Sequence, residues 1–248
     1  MRWHHEACEQ WLAERKKYLT ASEIQRLLPT TPTGRKRDVE SVQLAVWAEK
    51  QAGVTQEDIE SKAAAARGHL LEPYAIAAFN AIAQRTQLYH WDNMLVYDGL
   101  TAYSPDALDV PMLGDEPILP ALERQFHPSV LGEVKSYAPK THYLIAKSDK
   151  ADLDERWQIA TAMHVSPMID QAHLILYNPN VKHPLFVHSY TRAELSSELQ
   201  VVSEVVEAYW EAVPGIEFGF NMNVLSYDGP SEQEIIEELQ QGMQLNPQ

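Results

Sequence analysis

Two periods of apolar residues alternate along this chain, and together they predict a layered fold. Helical spacing marks Glu6 to Lys17, through Cys8, Trp11 and Leu12, and a second segment through Ile24, Leu27 and Leu28. Thr20-Ala21-Ser22-Glu23 has capping-box form, so Thr20 is the expected N-cap of that second helix. Helices are expected over Asp38–Gln51, with Val42, Leu44, Val46 and Trp47 inside, over Glu57–Ala66, and from Pro73 through Arg85. Proline lacks an amide N–H and suits a first turn, which puts Glu72 near a helix N-terminus. Thr141–Lys147, Asp152–Val165, Arg192–Val213 and Ser231–Met243 complete the helical pattern.

Strand character appears over Leu88–Tyr97 and Leu100–Tyr103, with Asp98-Gly99 as a hairpin signal between them. It returns around Glu133, flanked by Val130, Leu131, Val134 and Tyr137, then over Gln171–Tyr177 and His183–Tyr190. Asn178-Pro179-Asn180 is the turn between the last two. Val110 to Ser129, with Pro111, Gly114, Pro117, Pro120 and Pro128, reads as a loop. Strands of mixed direction interleaved with helices predict an α/β (α+β) fold with a central mixed β-sheet flanked by helices.

Composition narrows the picture. At 248 residues the chain fits one large domain or a domain with an appendage; the expected division is a domain over 1–225, with an insertion at 110–129, and an acidic helical tail over 226–248. Lys+Arg 20 against Asp+Glu 35 gives a net charge of -15, which argues against a protein coated in nucleic acid but allows a local basic groove. Cys8 stands alone, so no disulfide framework or cysteine zinc site is expected, and a reducing cytosol is the simple reading. No window approaches a membrane span. Gly34-Arg35-Lys36-Arg37 forms a basic loop that suits either a DNA contact or a solvated charge run.

The chemistry concentrates between Ser104 and Lys135. In a strand, Glu133 and Lys135 point to one face and Val134 to the other. With Asp106 from the preceding Ser104-Pro105-Asp106 turn, two carboxylates and an ammonium can gather around a hard divalent cation and its water. Asp…Glu-x-Lys spacing resembles the PD-(D/E)xK nuclease core, although Glu-x-Lys alone is common on solvent-facing, salt-bridged strands.

Further patches make the resemblance specific. Trp11-Leu-Ala-Glu-Arg15 with Thr20–Glu23, Gly68–Glu72, Ser104–Asp106, Glu133–Lys135 and Arg156–Ala160 occur in one order. The set resembles the lambda exonuclease or YqaJ-type phage recombination exonuclease family, from about Trp11 to Phe220.

The resemblance implies a magnesium-dependent 5′→3′ exonuclease that degrades one strand of linear double-stranded DNA. It implies two Mg2+ ions, with Mn2+ as a substitute, a homotrimeric ring and a single-strand annealing recombinase as partner. It also implies a phage or prophage protein in the cytoplasm of a bacterial host. Carried over residue by residue, Glu72, Asp106 and Glu133 fall on the metal-binding carboxylates, Val134 on a carbonyl ligand and Lys135 on the catalytic lysine. Arg15, Ser22 and Ser104 fall on the pocket for the 5′-terminal phosphate, and Gln158 on the motif glutamine.

Ala107 departs from the pattern, replacing the glycine usual after Ser-Pro-Asp, so positive φ must be avoided there. Asp98 aligns only loosely with an upstream aspartate, and Asp109 is a spare carboxylate that suits a solvated turn. The alternatives on the same core are a structure-specific or restriction-type endonuclease and an inactive DNA-binding module. His4-His5 would project apart on a helix, which suits exposed surface rather than a metal site. Trp157, Tyr209 and Trp210 lie on helical stripes that suit core packing.

Overall fold

A parallel pair of strands at the centre of a five-stranded sheet organises the architecture. The computed structural model describes residues 2–5, 15–29, 36–52, 62–83, 86–91, 94–109, 112–113, 116–117, 128–150 and 153–223. In chain order the elements are β1 (Arg2–His5), β2 (Leu19–Thr20), α1 (Ala21–Leu27), α2 (Val39–Ala52), α3 (Lys62–Ile82), β3 (Leu88–His90), β4 (Met94–Asp98), β5 (Thr101–Tyr103) and β6 (Ala107–Asp109). There follow β7 (Met112–Leu113), β8 (Glu116–Pro117), β9 (Val130–Lys135), α4 (Pro139–Lys147), α5 (Glu155–Val165), β10 (Gln171–Tyr177), β11 (Leu185–Thr191) and α6 (Ser196–Asn223).

The main sheet has the order β11-β10-β9-β6-β3. β9 and β10 are parallel, with Glu133 opposite Leu174 and Lys135 opposite Leu176. α4 and α5 form the crossover that a parallel pair requires. The other pairings in this sheet are antiparallel. A second sheet, β1-β4-β5-β2, is also mixed, since β2 joins β5 in parallel. The expected mixed sheet with helices on both faces is therefore present.

Alternation along β9 assigns those faces. Val134 packs with Ala75, Ile76 and Phe79 of α3, together with Leu88, Ala107 and Ile175. Leu131 faces the other way, into the main core with Ile159, Ala162 and Met163 of α5 and Val96 and Tyr103 of the second sheet. Gly132 stands where β6 crosses closely: a Cβ there would lie 2.8 Å from Leu88 Cδ1 and 3.1 Å from Ala107 Cβ. At the β4–β5 hairpin, Gly99 takes φ +57°, which glycine adopts without steric cost. Ala107 is extended in β6, so its missing glycine is harmless.

The structure corrects several expectations. Pro73 lies inside α3, so Glu72 is a mid-helix residue, and the two helices expected around Arg67 are one. The expected long strand over Leu88–Tyr97 is two strands in different sheets, because β3 pairs with β6 and β4 with β5. The insertion at 110–129 carries a two-stranded hairpin, β7 with β8, where a loop was expected. His4 and His5 lie on a strand, β1, which pairs with β4. Leu44 is 41% exposed rather than inside, while Val46 is fully buried. Arg37 caps α1, its Nη1 donating to the carbonyls of Gln25, Arg26 and Leu28. One of the three cations of the expected basic loop is thus spent on a helix end, and Arg35 lies outside the described residues.

Most of the expected Glu6–Lys17 helix and all of the Ser231–Met243 helix also lie outside the described residues. The chain divides into two compact units, Met1–Trp210 and Glu211–Gln248. Among the described residues no helix is long and apolar enough to cross a membrane.

Candidate active site

Three backbone segments supply the acidic cluster. β9 presents Glu133 and Lys135 side by side, and Lys135 Nζ donates to Glu133 Oε1 at 2.7 Å. Asp106 occupies the turn between β5 and β6, and its Oδ2 accepts the Val134 amide at 2.7 Å. The β6–β9 ladder ends at Ala107 opposite Gly132, so that amide lies beyond the backbone pairing. Glu72 continues the buried stripe of α3, three, four and seven residues before Ala75, Ile76 and Phe79. It is 8% exposed. Its Oε1 accepts from His69 Nδ1 at 3.0 Å, and its Oε2 from His90 Nε2 at 3.1 Å.

The electrostatics separate these groups. Burial and the fields of Glu133 and Glu72 push the Asp106 carboxyl well above the usual range, against the pull of Lys135 and the Val134 amide. Burial opposes ionisation of Glu72 too, but the His69 and His90 hydrogen bonds outweigh it and hold this carboxyl low. Burial disfavours the Lys135 ammonium, yet Glu133 and Asp106 overcome that and raise it above the ordinary lysine value. Lys135 is therefore a charged donor in this arrangement.

Among the described residues, no three His, Cys, Asp or Glu side chains form a ready-made metal cluster. Each carboxylate is instead turned to a protein partner: Asp106 to Val134, Glu133 to Lys135, and Glu72 to two histidines. The set still offers hard oxygen donors, and burial, with the charges of Glu133 and Glu72 added to it, raises the Asp106 carboxyl. A divalent cation suits that chemistry.

A second cluster adjoins the first. Arg15 Nη2 donates to Ser22 Oγ at 3.3 Å, and Thr20 Oγ1 lies 3.3 Å from the same oxygen. Ser104 Oγ and Gln158 Oε1 are buried with no hydrogen-bond partner among the described residues. One cleft of about 260 Å³ is lined by Arg15, Ser22, Ser104 and Gln158 together with Asp106, Glu133 and Lys135. Glu72 is not part of that lining, but its partner His69 is.

The supports of the cleft are local. The capping box places Thr20 and Ser22 at the start of α1, where the Glu23 carboxylate accepts from the Thr20 amide at 2.7 Å. Glu23 also pairs with Lys50 at 2.8 Å, and Arg26 forks onto Glu49 at 2.7 and 2.8 Å, so α2 braces α1. Tyr137, just past β9, donates its hydroxyl to Glu155 at the start of α5, the helix that carries Gln158.

Other sequence candidates fall elsewhere. Asp109 is no solvated turn residue: it accepts from the Ser129 amide, the Ser129 hydroxyl and the Val130 amide, and so closes the base of the insertion. Asp98 is exposed at the end of β4. Tyr209 is core at 1% exposure, as its stripe suggested. The sequence reading missed His69 and His90, and also Thr20 and Tyr103, which line the cleft. His69 stands three residues before Glu72 on one helix, a spacing hidden by the helix start expected at Pro73. His90 had no local signal, because only the docking of β3 beside α3 brings it to Glu72.

Comparison with known proteins bears on family and fold. Residues 10–168 match the model of the YqaJ-like viral recombinase domain. The crystal structure of LHK-Exo in complex with dAMP is similar with a TM-score of 0.60 at 18% identity, covering 86% of this chain and 97% of that one. The crystal structure of an alkaline exonuclease (LHK-Exo) from Laribacter hongkongensis gives the same TM-score and identity, covering 87% of this chain and 100% of that one. No curated protein matches. The fold is that of the PD-(D/E)xK nucleases, and family and fold together support a nuclease.

Proposed function

Since the chain belongs to the YqaJ-like viral recombinase family, we propose that it is a magnesium-dependent 5′→3′ exonuclease acting on linear double-stranded DNA. It degrades one strand and leaves a 3′ single-stranded overhang for recombination by strand annealing. The supporting observation is the single cleft lined both by Arg15, Ser22 and Ser104 and by Asp106, Glu133 and Lys135. A guanidinium and hydroxyls suit a terminal phosphate, and carboxylates with a lysine suit phosphodiester hydrolysis. An endonuclease, which meets no chain end, would need no pocket for a terminal phosphate.

In this reading Glu72, Asp106 and Glu133, with the Val134 carbonyl, hold two Mg2+ ions, for which Mn2+ can substitute. Bound there, the ions supply Lewis-acid stabilisation to the oxygens that gain charge at the scissile phosphate. Lys135, as an ammonium, orients the attacking water and donates to a phosphate oxygen. Arg15 offers two parallel N–H donors to the 5′-phosphate, Ser22 and Ser104 add hydroxyl donors, and Gln158 fixes the terminal nucleotide. Gripping the end beside the hydrolytic group makes a chain terminus the substrate and places the first phosphodiester over the acids.

The exonuclease domain is assigned to 1–225 and the acidic tail to 226–248. The working form is a homotrimeric ring around DNA, with Lys and Arg facing the channel and the excess acid outside, consistent with a net charge of -15. Its partner is a single-strand annealing recombinase, and its setting is the cytoplasm of a bacterial host carrying the phage or prophage. One assay tests the core of this. Linear and covalently closed circular duplexes, labelled at either end where an end exists, are incubated with and without Mg2+. Degradation of linear DNA alone, with early release of the 5′ label and only with the metal, is expected. Cutting of the circle or early release of the 3′ label would replace this reading with the endonuclease or with opposite polarity.

A further inference from the structure

α3 is pinned to the edge strand β3 at two points. Asn80 Nδ2 donates to the Leu88 carbonyl at 2.7 Å, and the Leu88 amide donates to Asn80 Oδ1 at 2.9 Å. The other point is the His90–Glu72 contact at 3.1 Å. Leu88 and His90 are two residues apart on a strand and so share a face, the one on which Leu88 packs against α3. Asn80 satisfies backbone groups at the start of β3, a structural task at an exposed sheet edge. His90 does something different, because it holds a carboxylate rather than the backbone.

An ionised carboxylate only accepts hydrogen bonds, so the His90 Nε2 that meets Glu72 Oε2 must carry the proton. His90 is opposite Ala107 in the β3–β6 register, one residue from Asp106. One histidine therefore ties the helix-borne acid to the strand pair that leads out of the Asp106 turn. His69 grips the other Glu72 oxygen, but its side chain is 72% exposed, whereas that of His90 is 17% exposed. Water can take over the role of His69 far more easily than that of His90.

We propose that His90 is a positioning residue that fixes the Glu72 carboxylate for cation binding. The proposal rests on the reading of Glu72 as a metal ligand. A partner of this kind raises affinity by holding its ligand in one orientation, and its loss typically weakens binding by about 10–100-fold.

The test is calorimetric titration of Mn2+ into the metal-free full-length protein, with His90→Asn, His90→Gln and Glu72→Gln compared with the wild type. A glutamine amide reaches about as far as Nε2, whereas asparagine is too short. His90→Asn should weaken Mn2+ binding by about 10–100-fold. His90→Gln should stay close to the wild type, and both should keep the wild-type circular dichroism spectrum. The Mn2+ concentration for half-maximal cleavage should shift for His90→Asn in parallel, with turnover at saturating Mn2+ largely restored. Wild-type Mn2+ affinity in His90→Asn, or equal losses in Asn and Gln, overturns the role of His90. If Glu72→Gln binds Mn2+ like the wild type, Glu72 is no ligand, and the metal-site reading falls with the proposal. Should His90→Asn fail to fold where His90→Gln folds, the histidine is structural and the proposal is overturned.

Discussion

The Val134 amide donates to the Asp106 carboxylate at 2.7 Å, so the turn acid is locked to the strand that carries Glu133 and Lys135. This bond orients Asp106 but does not neutralise it. Burial and the neighbouring Glu133 hold the carboxyl above its ordinary value. An acid raised on folding binds protons more tightly in the folded state. The metal-free protein therefore loses stability as pH rises from the unfolded value of about 4 through the raised folded value.

Asp106→Asn keeps an oxygen for the Val134 amide and removes the charge. Without metal at pH 8 the variant should melt above the wild type by at least about 2 °C, the order that 1 kcal/mol produces in a domain of this size. The gap should close as pH falls, because the wild type then protonates. Added Mg2+ should raise the wild-type melting temperature more than that of the variant, and cleavage should be lost. Scanning calorimetry at two pH values decides it: a variant less stable than the wild type at pH 8 would mean that the carboxylate is satisfied and the field argument fails.

Lys135 and Glu133 form a 2.7 Å ion pair with side-chain exposures of 27% and 13%. Lys135→Ala and Glu133→Gln should each keep the fold and DNA binding and lower the cleavage rate at least about 100-fold, since charge stabilisation at the phosphate is typically worth several kcal/mol. Gel-shift and single-turnover assays on one preparation separate the two effects. Near-normal turnover by both variants would remove this pair from the chemistry.

The helix and strand inventory was largely legible, because apolar residues at helical spacing, as along the long helix α6, announce themselves locally. So was the core of the site, since alternation along β9 alone puts Glu133 beside Lys135 and Val134 behind them. What escaped was long-range. Pro73 reads as a helix start, yet tertiary packing of Ala75, Ile76 and Phe79 carries α3 through it at the expense of one backbone hydrogen bond. Leu88–Tyr97 is one β-rich run, but its halves pair with different partners, and no local pattern encodes that choice. Asp109 looked spare because its three donors come from Ser129 and Val130, across the whole insertion.

Gly132 shows how closely β9 is sandwiched. Its absent side chain would meet Leu88 Cδ1 at 2.8 Å and Ala107 Cβ at 3.1 Å. Leu88 can shift, but Ala107 is held in a strand next to Asp106. Gly132→Ala should therefore destabilise by about 1–3 kcal/mol, the usual range for overpacking. It should also reduce activity by moving the Asp106 turn. Urea unfolding gives the first quantity, and an unchanged midpoint would show that the sheet yields without strain.

Ser104 offers the sharpest test of end recognition. Its hydroxyl is buried in the cleft with no hydrogen-bond partner among the described residues, although folding normally satisfies such a group. A hydroxyl kept for the fold would be missed on deletion. A hydroxyl kept for a ligand would not be, and Ser104→Ala should then leave stability unchanged or slightly raised. The same variant should lose part of its preference for 5′-phosphorylated over 5′-hydroxyl ends. Hydrogen bonds to a charged group are worth about 1.5–3 kcal/mol, so the preference should fall by about 10–150-fold. Arg15→Ala should lose at least as much, because it removes a charge as well as donors. Paired rate measurements on the two ends, with melting curves for each variant, distinguish the cases. A lower melting temperature with intact discrimination would make Ser104 a structural residue. If both variants keep full discrimination, the terminal phosphate is read somewhere other than this cleft.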